Sequence, residues 1–192
     1  MRIIAGKFKG RKLNTLEGLN TRPMLDRMKE SVFNILGPYF DGQKVLDLFG
    51  GSGALSLEAL SRGCLHADIV EISKEAMKVI ESNVDKLKAQ NLVNLHLMDH
   101  QHALFFLSQK KQSYDLIFLD PPYRLAIIDE VIVLLINNAM LNDGAYIICH
   151  YRRKSYEPKT WKDGFGEIRI LKNYHYTTNE ITIYQYLKAQ QE

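Results

Sequence analysis

The chain contains 192 residues, of which 46% are hydrophobic and 24% are charged, and this composition favours one globular domain over two. No apolar run approaches the roughly 20 residues that span a bilayer, and residues 1–7 lack the long apolar core of a signal peptide, so we expect a soluble, cytoplasmic protein. Cys64 and Cys149 have no cysteine partner at metal-ligand or redox-motif spacing, which predicts two small buried side chains.

The net charge of +3 conceals a strongly basic amino-terminal segment. Residues 1–29 contain eight Lys or Arg and two acidic residues, a net charge of +6, whereas the rest of the chain contains 17 basic and 20 acidic residues, a net charge of −3. This asymmetry is typical of a protein that binds a phosphate backbone, although a solvated surface can have the same composition. We therefore favour a nucleic acid as the partner.

Two apolar-basic segments surround Gly6 and Gly10, and this pattern predicts a β-hairpin over residues 1–13. We interpret residues 1–20 as a basic extension of a single domain that covers residues 1–192. A helix is predicted to begin at Thr21-Arg22-Pro23 and to end near Gly37-Pro38, with an apolar face formed by Leu25, Met28, Val32 and Leu36.

From Lys44 onward, apolar strands alternate with amphipathic helices, which is typical of βαβ units and a parallel sheet. The predicted strands lie near 45–49, 67–71, 93–98, 115–120 and 144–149, and the predicted helices lie near 53–62, 74–89, 101–110 and 126–139. Two alternating runs at 165–171 and 181–187, joined through 173–179, predict an antiparallel hairpin that closes one edge of the sheet.

The segment Leu116–Tyr123 consists of four apolar residues followed by Asp-Pro-Pro-Tyr. Its first four residues suit a buried parallel strand, and two prolines then forbid both helix and ladder, so the strand is predicted to stop at Asp120. In open α/β sheets, ligands bind at the carboxyl ends of the strands. Asp120, Pro121 and Tyr123 are therefore predicted to belong to a functional site.

A second junction lies where the strand near 45–49 runs into Gly50-Gly51-Ser52-Gly53 and then into a helix. Glycines allow the backbone to approach a ligand closely and expose amide groups at the helix start, which predicts a nucleoside-cofactor site. A phosphate-binding P-loop is disfavoured because Ala54, and not Lys, follows Gly53. A dinucleotide fingerprint is a weak match because Ser56 stands where its third glycine belongs.

Acidic residues recur at the ends of the following strands, as Glu71, Asp99 and Asp120. Glu71 lies 18 residues after Gly53, near the offset of about 20 at which an acidic residue binds ribose hydroxyls. Asp47 precedes the glycines, where a carboxylate disfavours a pyrophosphate and suits a cationic ligand. A ribose, an adenine, an ammonium and a sulfonium occur together in S-adenosylmethionine, which we predict as the cofactor.

Sequence blocks spread over nearly the whole chain match the pattern of one known family. These blocks are residues 2–6, 10–13, 21–23, 26–27, 33–36, 47–55, 57–63 and 120–123. The chain resembles the class I S-adenosylmethionine-dependent methyltransferases with an Asp-Pro-Pro-Tyr motif, and within them the RsmD-type enzymes. These enzymes methylate the exocyclic N2 amine of a guanine in 16S ribosomal RNA of the small subunit. The amino-terminal blocks are the more specific part, because Asp-Pro-Pro-Tyr alone marks amine methylation in general.

The resemblance implies a Rossmann-like class I methyltransferase fold. This α/β fold has a seven-stranded, mostly parallel sheet with an antiparallel last strand, helices on both faces, and an N-terminal β-hairpin and helix. The implied cofactor residues are Asp47, Phe49, Gly51 and Gly53 around the methionine part, Glu71 on the ribose and Asp99 at the adenine amine, together with Ser52, Ile72 and His100. The chain departs from the family pattern at Met24, at His100, and at Cys149-His150, where many relatives have Glu.

The predicted chemistry is in-line methyl transfer to an exocyclic amine, whose lone pair is delocalised into the base. Asp120 and the Pro121 carbonyl are each predicted to accept one amine hydrogen, which holds the nitrogen and directs its lone pair. Tyr123 offers a ring on which a flipped base can stack, which we favour over the alternative of an ordinary core aromatic. No metal is expected at His96, Asp99, His100 or His102, because the transfer needs none.

Substrate binding is predicted in two basic zones, with 16S ribosomal RNA as the partner, either within the small ribosomal subunit or in an assembly intermediate. The first zone contains Arg2, Lys7, Arg11, Arg22 and Arg27. The second begins at Tyr151-Arg152 and continues through Tyr156 to Lys162, where cations alternate with aromatic residues, a pattern that suits RNA loops but also a solvated loop. A monomer without membrane association is expected.

Three alternatives stay open at this point. Adenine-N6 DNA methyltransferases and protein-glutamine methyltransferases use a related motif, although the glutamine enzymes usually carry Asn in place of Asp120. A noncatalytic RNA-binding ribosome-assembly factor could retain the fold, but the intact glycines and acids argue against it. A Rossmann dehydrogenase is disfavoured by Ser56 and by the two prolines after Asp120.

Overall fold

The computed structural model describes residues 1–16, 26–122 and 127–189, apart from the side chains of Asp26 and Arg27. The chain divides into two compact units, Met1–Ala103 and Leu104–Glu192. The elements in chain order are α1 Asp26–Leu36, β1 Lys44–Asp47, α2 Ala54–Ser61, β2 His66–Glu71, α3 Lys74–Leu87, a 3₁₀ turn Gln90–Leu92, β3 Val93–Leu97, α4 His100–Gln109, β4 Tyr114–Leu119, α5 Ile128–Asn137, β5 Leu141–Arg152, β6 Trp161–Lys162, β7 Gly166–His175 and β8 Asn179–Lys188.

The first unit contains three parallel strands in the order β3-β2-β1. Val45 lies opposite Ala67, and Ile69 lies opposite Leu95, so that apolar residues of neighbouring strands are in register. Every residue of α2 is buried, including the polar Ser56, Glu58 and Ser61, which explains why its sequence lacks a clear amphipathic pattern.

The amino-terminal hairpin belongs to the first unit, and its two arms pair through one antiparallel bridge between Arg2 and Lys12. The amide of Ile3 donates to the carbonyl of Arg11 at 3.0 Å, and the amide of Gly10 donates to the carbonyl of Ile3 at 2.9 Å. The predicted hairpin over residues 1–13 is therefore confirmed. Residues 17–20 of the predicted extension lie outside the described residues.

A buried carboxylate in α2, Glu58, fastens this hairpin to the unit. Its oxygens accept hydrogen bonds from the backbone amides of Ile4 at 2.8 Å and Ala5 at 3.0 Å. They also pair with Arg62 Nε at 2.9 Å and Lys29 Nζ at 3.5 Å, and the Glu58 side chain is fully buried. We call these five residues the Glu58 cluster. Its two cations compensate the buried charge, which would otherwise be strongly destabilising.

The second unit begins with parallel pairing of β4 and β5 and continues with antiparallel pairing. Its strand order is β4-β5-β8-β7-β6. Along β4, Ile117 lies opposite Ile147 and Phe118 lies opposite Ile148, and all four side chains are buried. Because both faces of these strands are buried, their sequences are continuously hydrophobic, and this pattern is the one from which buried strands were predicted.

The predicted fold class is confirmed, with three corrections. The described residues form eight strands and not seven, because Trp161–Lys162 pairs with β7 while the Trp161 ring packs on Tyr184 at 5.5 Å. The connection between the last two strands is shorter than the predicted 173–179, because β7 extends to His175 and β8 begins at Asn179. Strands near a sheet edge can contain polar residues, so the polar sequence of this segment does not prevent strand pairing. Strand β5 is also longer than predicted, since it covers Leu141–Arg152.

Three further predictions concern single features of the chain. Helix α1 ends at Leu36, as predicted, while its predicted start at residues 21–23 lies outside the described residues. Cys64 and Cys149 are both buried and unbridged, which confirms that prediction. In the part of the chain that the structure describes, no helix is both long enough and apolar enough to cross a membrane.

Candidate active site

The glycine turn that follows β1 lies tightly against β2 in the first unit. The amide of Gly50 donates to the carbonyl of Val70 at 2.8 Å, and a Cβ at Gly50 would lie only 2.6 Å from a methyl carbon of Ile69. Gly51 and Gly53 have φ values of 56° and 73°, a left-handed region that other residues adopt only at a cost. The turn therefore needs glycine for both space and conformation.

Glu71, at the end of β2, is held by backbone amides on both of its oxygens. Its Oε2 accepts from the amide of Gly51 at 2.8 Å, and its Oε1 accepts from the amide of Ser73 at 2.8 Å. Each carboxylate oxygen has a second lone pair, so this geometry fixes the carboxylate without exhausting its acceptor capacity. The next residue, Ile72, has 71% of its surface exposed, which is unusual for a large apolar residue.

Asn83 of α3 connects the glycine turn to the segment that leaves the hairpin. Its buried side-chain amide donates to the carbonyl of Ser52 at 2.9 Å and to the carbonyl of Asn14 at 3.0 Å. Its Oδ1 accepts from the amide of Asn14 at 2.7 Å. One buried side chain therefore holds two backbone segments of the first unit at once.

Asp47 is the last residue of β1, and Phe49 follows it by two residues. Asp47 is almost fully buried, and its Oδ2 accepts a hydrogen bond from the hydroxyl of Ser56 at 2.9 Å. The ring of Phe49 lies 5.5 Å from the ring of His100. The Nε2 of His100 is buried and has no hydrogen-bond partner among the described residues.

Asp99 stands at the start of α4 and serves as its cap. One oxygen accepts from the amide of His102 at 3.0 Å, and the other pairs with His102 Nδ1 at 2.6 Å. The backbone hydrogen bond from His102, followed by the bond from its side chain, lowers the pKa of Asp99. The carboxylate of Asp99 is thus kept ionised, directly before His100 in the sequence.

In the second unit, Asp120 directly follows β4 and binds a histidine of the neighbouring strand. Asp120 Oδ1 and His150 Nδ1 are 2.7 Å apart. The His150 side chain is only 2% exposed, whereas the Asp120 side chain is 32% exposed. Pro121 is buried, and Tyr123 lies outside the described residues. The carboxylate is therefore fixed from the buried side and accessible from the other.

The basic residues predicted to bind substrate fall into two groups. Arg2, Lys7 and Arg11 are exposed on the hairpin of the first unit, and Arg152 is exposed at the end of β5 in the second. Arg22 and the side chain of Arg27 lie outside the described residues. The assignment of all these site residues stays a prediction.

Several aromatic residues of the second predicted zone hold the fold together. Tyr151 is buried with its hydroxyl 2.7 Å from Thr182 Oγ1, and burial raises its pKa to about 12. The Tyr156 hydroxyl donates to Asp129 at 2.9 Å, and Lys159 forms an ion pair with the same carboxylate. These side chains are thus occupied within the unit.

A different aromatic pair stands at the end of β7, where Tyr174 and Tyr176 stack with ring centroids 6.3 Å apart and an interplanar angle of 29°. Both are partly exposed. Sequence reasoning missed this pair because the segment was interpreted as a loop. The signal was present in the spacing, because residues i and i+2 of a strand lie on one face.

The histidines near β3 have individual acidic partners. His96 Nε2 lies 2.7 Å from Asp68, and His102 pairs with Asp99. Over residues 1–16, 26–122 and 127–189, no group of three or more His, Cys, Asp or Glu side chains is arranged to hold a metal ion.

The parallel strands, the glycine turn and the acids at strand ends define the class of protein, which has the fold of the class I methyltransferases. The solved structure of yhhF from Escherichia coli has a TM-score of 0.82 and 29% identity, covering 97% of this chain and 98% of that chain. A conserved hypothetical protein from Streptococcus pyogenes has a TM-score of 0.74 and 34% identity, covering 82% and 94% of the two chains.

The family model described as "Conserved hypothetical protein 95" matches residues 1–185, and the chain belongs to this family. Ribosomal RNA small subunit methyltransferase D of Escherichia coli strain K12 is 40% identical over 149 residues, which cover 77% of this chain and 72% of that protein. The Haemophilus influenzae protein of the same name is 35% identical over 165 residues, with 84% of each chain covered. The RsmD-type resemblance is therefore confirmed.

Proposed function

We propose that this protein is an S-adenosylmethionine-dependent methyltransferase that modifies the exocyclic N2 amine of a guanine in 16S ribosomal RNA. The relatives named as small-subunit ribosomal RNA methyltransferases support the reaction and the substrate. The structural observation that carries the chemistry is Asp120, a partly exposed carboxylate held on one oxygen by His150 at 2.7 Å.

The residues of the first unit fit S-adenosylmethionine. The glycine turn provides a close backbone approach, since its glycines leave no Cβ between the ligand and the main chain. Glu71 is fixed by two amides and retains lone pairs for ribose hydroxyls, and the exposed Ile72 offers an apolar contact. Asp99 and His100 would lie at the adenine. The cofactor supplies an electrophilic methyl group on a positive sulfonium, which the buried Asp47 carboxylate favours.

Asp120 and Pro121 act on the amine of the guanine. Conjugation with the ring makes this nitrogen a poor nucleophile, so the protein must hold its two hydrogens and free its lone pair. Asp120 Oδ2 accepts one hydrogen and the Pro121 carbonyl accepts the other, which orients the nitrogen for attack. Asp120 need not be a strong base, because the nitrogen becomes acidic only when it carries the methyl group. Tyr123 is proposed to stack on the flipped base.

RNA binding is proposed to use exposed cations in both units. Lys7 and Arg11 of the hairpin would bind phosphates, and the Lys7 ammonium also lies 4.9 Å from the Phe8 ring centroid. In the second unit, Arg152 lies near the end of β5, and the stacked pair Tyr174–Tyr176 lies near the end of β7. Cations and stacked rings in one unit suit an RNA loop, whose unpaired bases stack on aromatic side chains.

We further propose that the chain is a single methyltransferase domain and acts as a cytoplasmic monomer. The proposed reaction uses no metal ion, because hydrogen bonding by Asp120 supplies the orientation that a Lewis acid would otherwise give. Its substrate is 16S RNA within the small subunit or an assembly intermediate. An adenine-N6 DNA methyltransferase is the second candidate, because Asp120 and Pro121 can hold either exocyclic amine.

Methylation with labelled S-adenosylmethionine separates these candidates. The substrates are naked 16S RNA, small-subunit particles and duplex DNA, and each product is digested to nucleosides. We expect label in N2-methylguanosine from particles. Label in N6-methyl-2′-deoxyadenosine from duplex DNA would support the second candidate, and no label in any nucleoside would contradict both.

A further inference from the structure

His150 occupies a position that the proposed chemistry does not yet use. Strands β4 and β5 are parallel, with Leu119 opposite Cys149, so the next residues of the two strands, Asp120 and His150, are adjacent. Their side chains meet at 2.7 Å between Oδ1 and Nδ1. The contact therefore follows from the strand register and joins two neighbouring strands.

The imidazole lies in an apolar layer. Ile181 of β8 is opposite His150, and Ile148 and Phe118 lie one pleat back on the same face of β5 and β4. All three side chains are at most 1% exposed. An imidazole packed in this way cannot turn without displacing neighbours, because protein interiors are close-packed. The hydrogen bond to Asp120 is consequently made from a rigid support.

The two ends of this hydrogen bond differ sharply in exposure. His150 is 2% exposed and Asp120 is 32% exposed, so the pair presents one accessible carboxylate on a buried donor. We propose that His150 is a positioning residue for methyl transfer. Its Nδ1–H donates to Oδ1, fixes the plane of the carboxylate, and leaves Oδ2 to accept a hydrogen from the amine of the base. This inference rests on the proposed function of Asp120.

The geometry also requires a particular tautomer. A carboxylate only accepts hydrogen bonds, so the proton of a neutral imidazole at this position must be on Nδ1. A histidine that merely filled space would have no such requirement. The tautomer is therefore a property that can be measured without any assay of activity.

The kinetic test compares His150→Phe, which keeps a ring but loses the donor, with His150→Asn, whose amide can donate from nearly the position of Nδ1. We expect His150→Phe to lower kcat about 10–100-fold, the usual effect of losing a supporting hydrogen bond to a charged group, and His150→Asn to recover most of that loss. KM for S-adenosylmethionine should stay unchanged. Tyr186→Phe, which removes a hydroxyl that donates to the carbonyl of Phe165, is the matched control and should retain wild-type kcat.

Wild-type kcat in a folded His150→Phe variant would overturn the inference. Equal losses in the Phe and Asn variants would also overturn it, because the donor would then be irrelevant. If wild-type protein transfers no methyl group to RNA, the proposed function fails instead. Nitrogen NMR of ¹⁵N-histidine-labelled wild-type protein measures the protonation of His150 Nδ1. This second test requires neither enzymatic activity nor a folded His150→Phe variant. We expect a protonated Nδ1 that changes in Asp120→Ala, and an unprotonated Nδ1 in the wild type would refute the pairing.

Discussion

Glu58 in the first unit and Asp120 in the second are both held by hydrogen bonds, yet the two carboxylates differ in their exposure to solvent. Glu58 is fully buried and accepts from two backbone amides and two cations. Asp120 has one described donor, His150, and a side chain that is 32% exposed. A carboxylate offers about four acceptor sites, so Glu58 has used its capacity inside the fold, whereas Asp120 retains acceptor capacity for a ligand. Unused acceptor capacity beside a rigid donor is thus what separates the candidate catalytic acid from the structural one.

Replacing Asp120 tests the catalytic side of this contrast and should give the largest effect. We expect Asp120→Ala to lower the rate of methyl transfer about 10²–10⁴-fold, because one acceptor for the amine is lost. Affinity for S-adenosylhomocysteine, measured by calorimetry, should be almost unchanged. A variant with full activity would remove Asp120 from the reaction.

Replacing Glu58 tests the structural side. Glu58→Ala removes the carboxylate that pairs with Lys29 and Arg62, and it leaves two hairpin amides without this acceptor. We expect the free energy of unfolding to fall by about 3–5 kcal/mol in urea titrations, the usual cost of breaking a buried ion pair. The folded fraction should keep a near-normal kcat. Unchanged stability would mean that the cluster does not hold the hairpin.

Replacing either of the stacked tyrosines should weaken RNA binding, with a smaller effect than the replacements of Asp120 and Glu58. Tyr174→Ala and Tyr176→Ala should each weaken binding of the RNA substrate by about 1–3 kcal/mol, the range found for base stacking on aromatic side chains. Tyr39→Ala is the matched control, since Tyr39 is an exposed aromatic residue of the first unit, with 69% of its surface accessible. Equal weakening in all three variants would argue against a specific stacking surface.

The hairpin charges should give the smallest change in affinity but a distinct dependence on salt. Lys7→Ala and Arg11→Ala together should reduce the slope of log K against log salt concentration by about 1.4, or about 0.7 for each phosphate contact. Point variants are preferable to deletion of residues 1–13, because deletion would also remove Ile4 and Ala5 from Glu58. An unchanged slope would exclude these residues from phosphate binding.

Much of the fold was predictable, because strands and helices that alternate along the chain leave strong periodic patterns. The predicted strand near 67–71 differs from β2 by one residue at its start, and the predicted strand near 115–120 is shifted from β4 by one residue at each end. The Asp120–His150 contact was not predictable, because it depends on the register of two strands whose contacting residues lie thirty positions apart. Glu58 was equally hidden, since a charged residue in a helix usually indicates a solvated face, and only packing against the hairpin reverses that expectation.

Asn83 gives the first unit a property that hydrogen exchange can detect. Its side chain binds the carbonyl of Ser52 in the glycine turn and both backbone groups of Asn14. Any ligand that steadies the turn must then also disfavour local opening at Asn14, because coupling between two sites is reciprocal. Addition of S-adenosylhomocysteine should therefore slow amide exchange at Asn14, and Asn83→Ala should abolish that protection. The segment that leaves the basic hairpin would in this way report on occupancy of the cofactor turn.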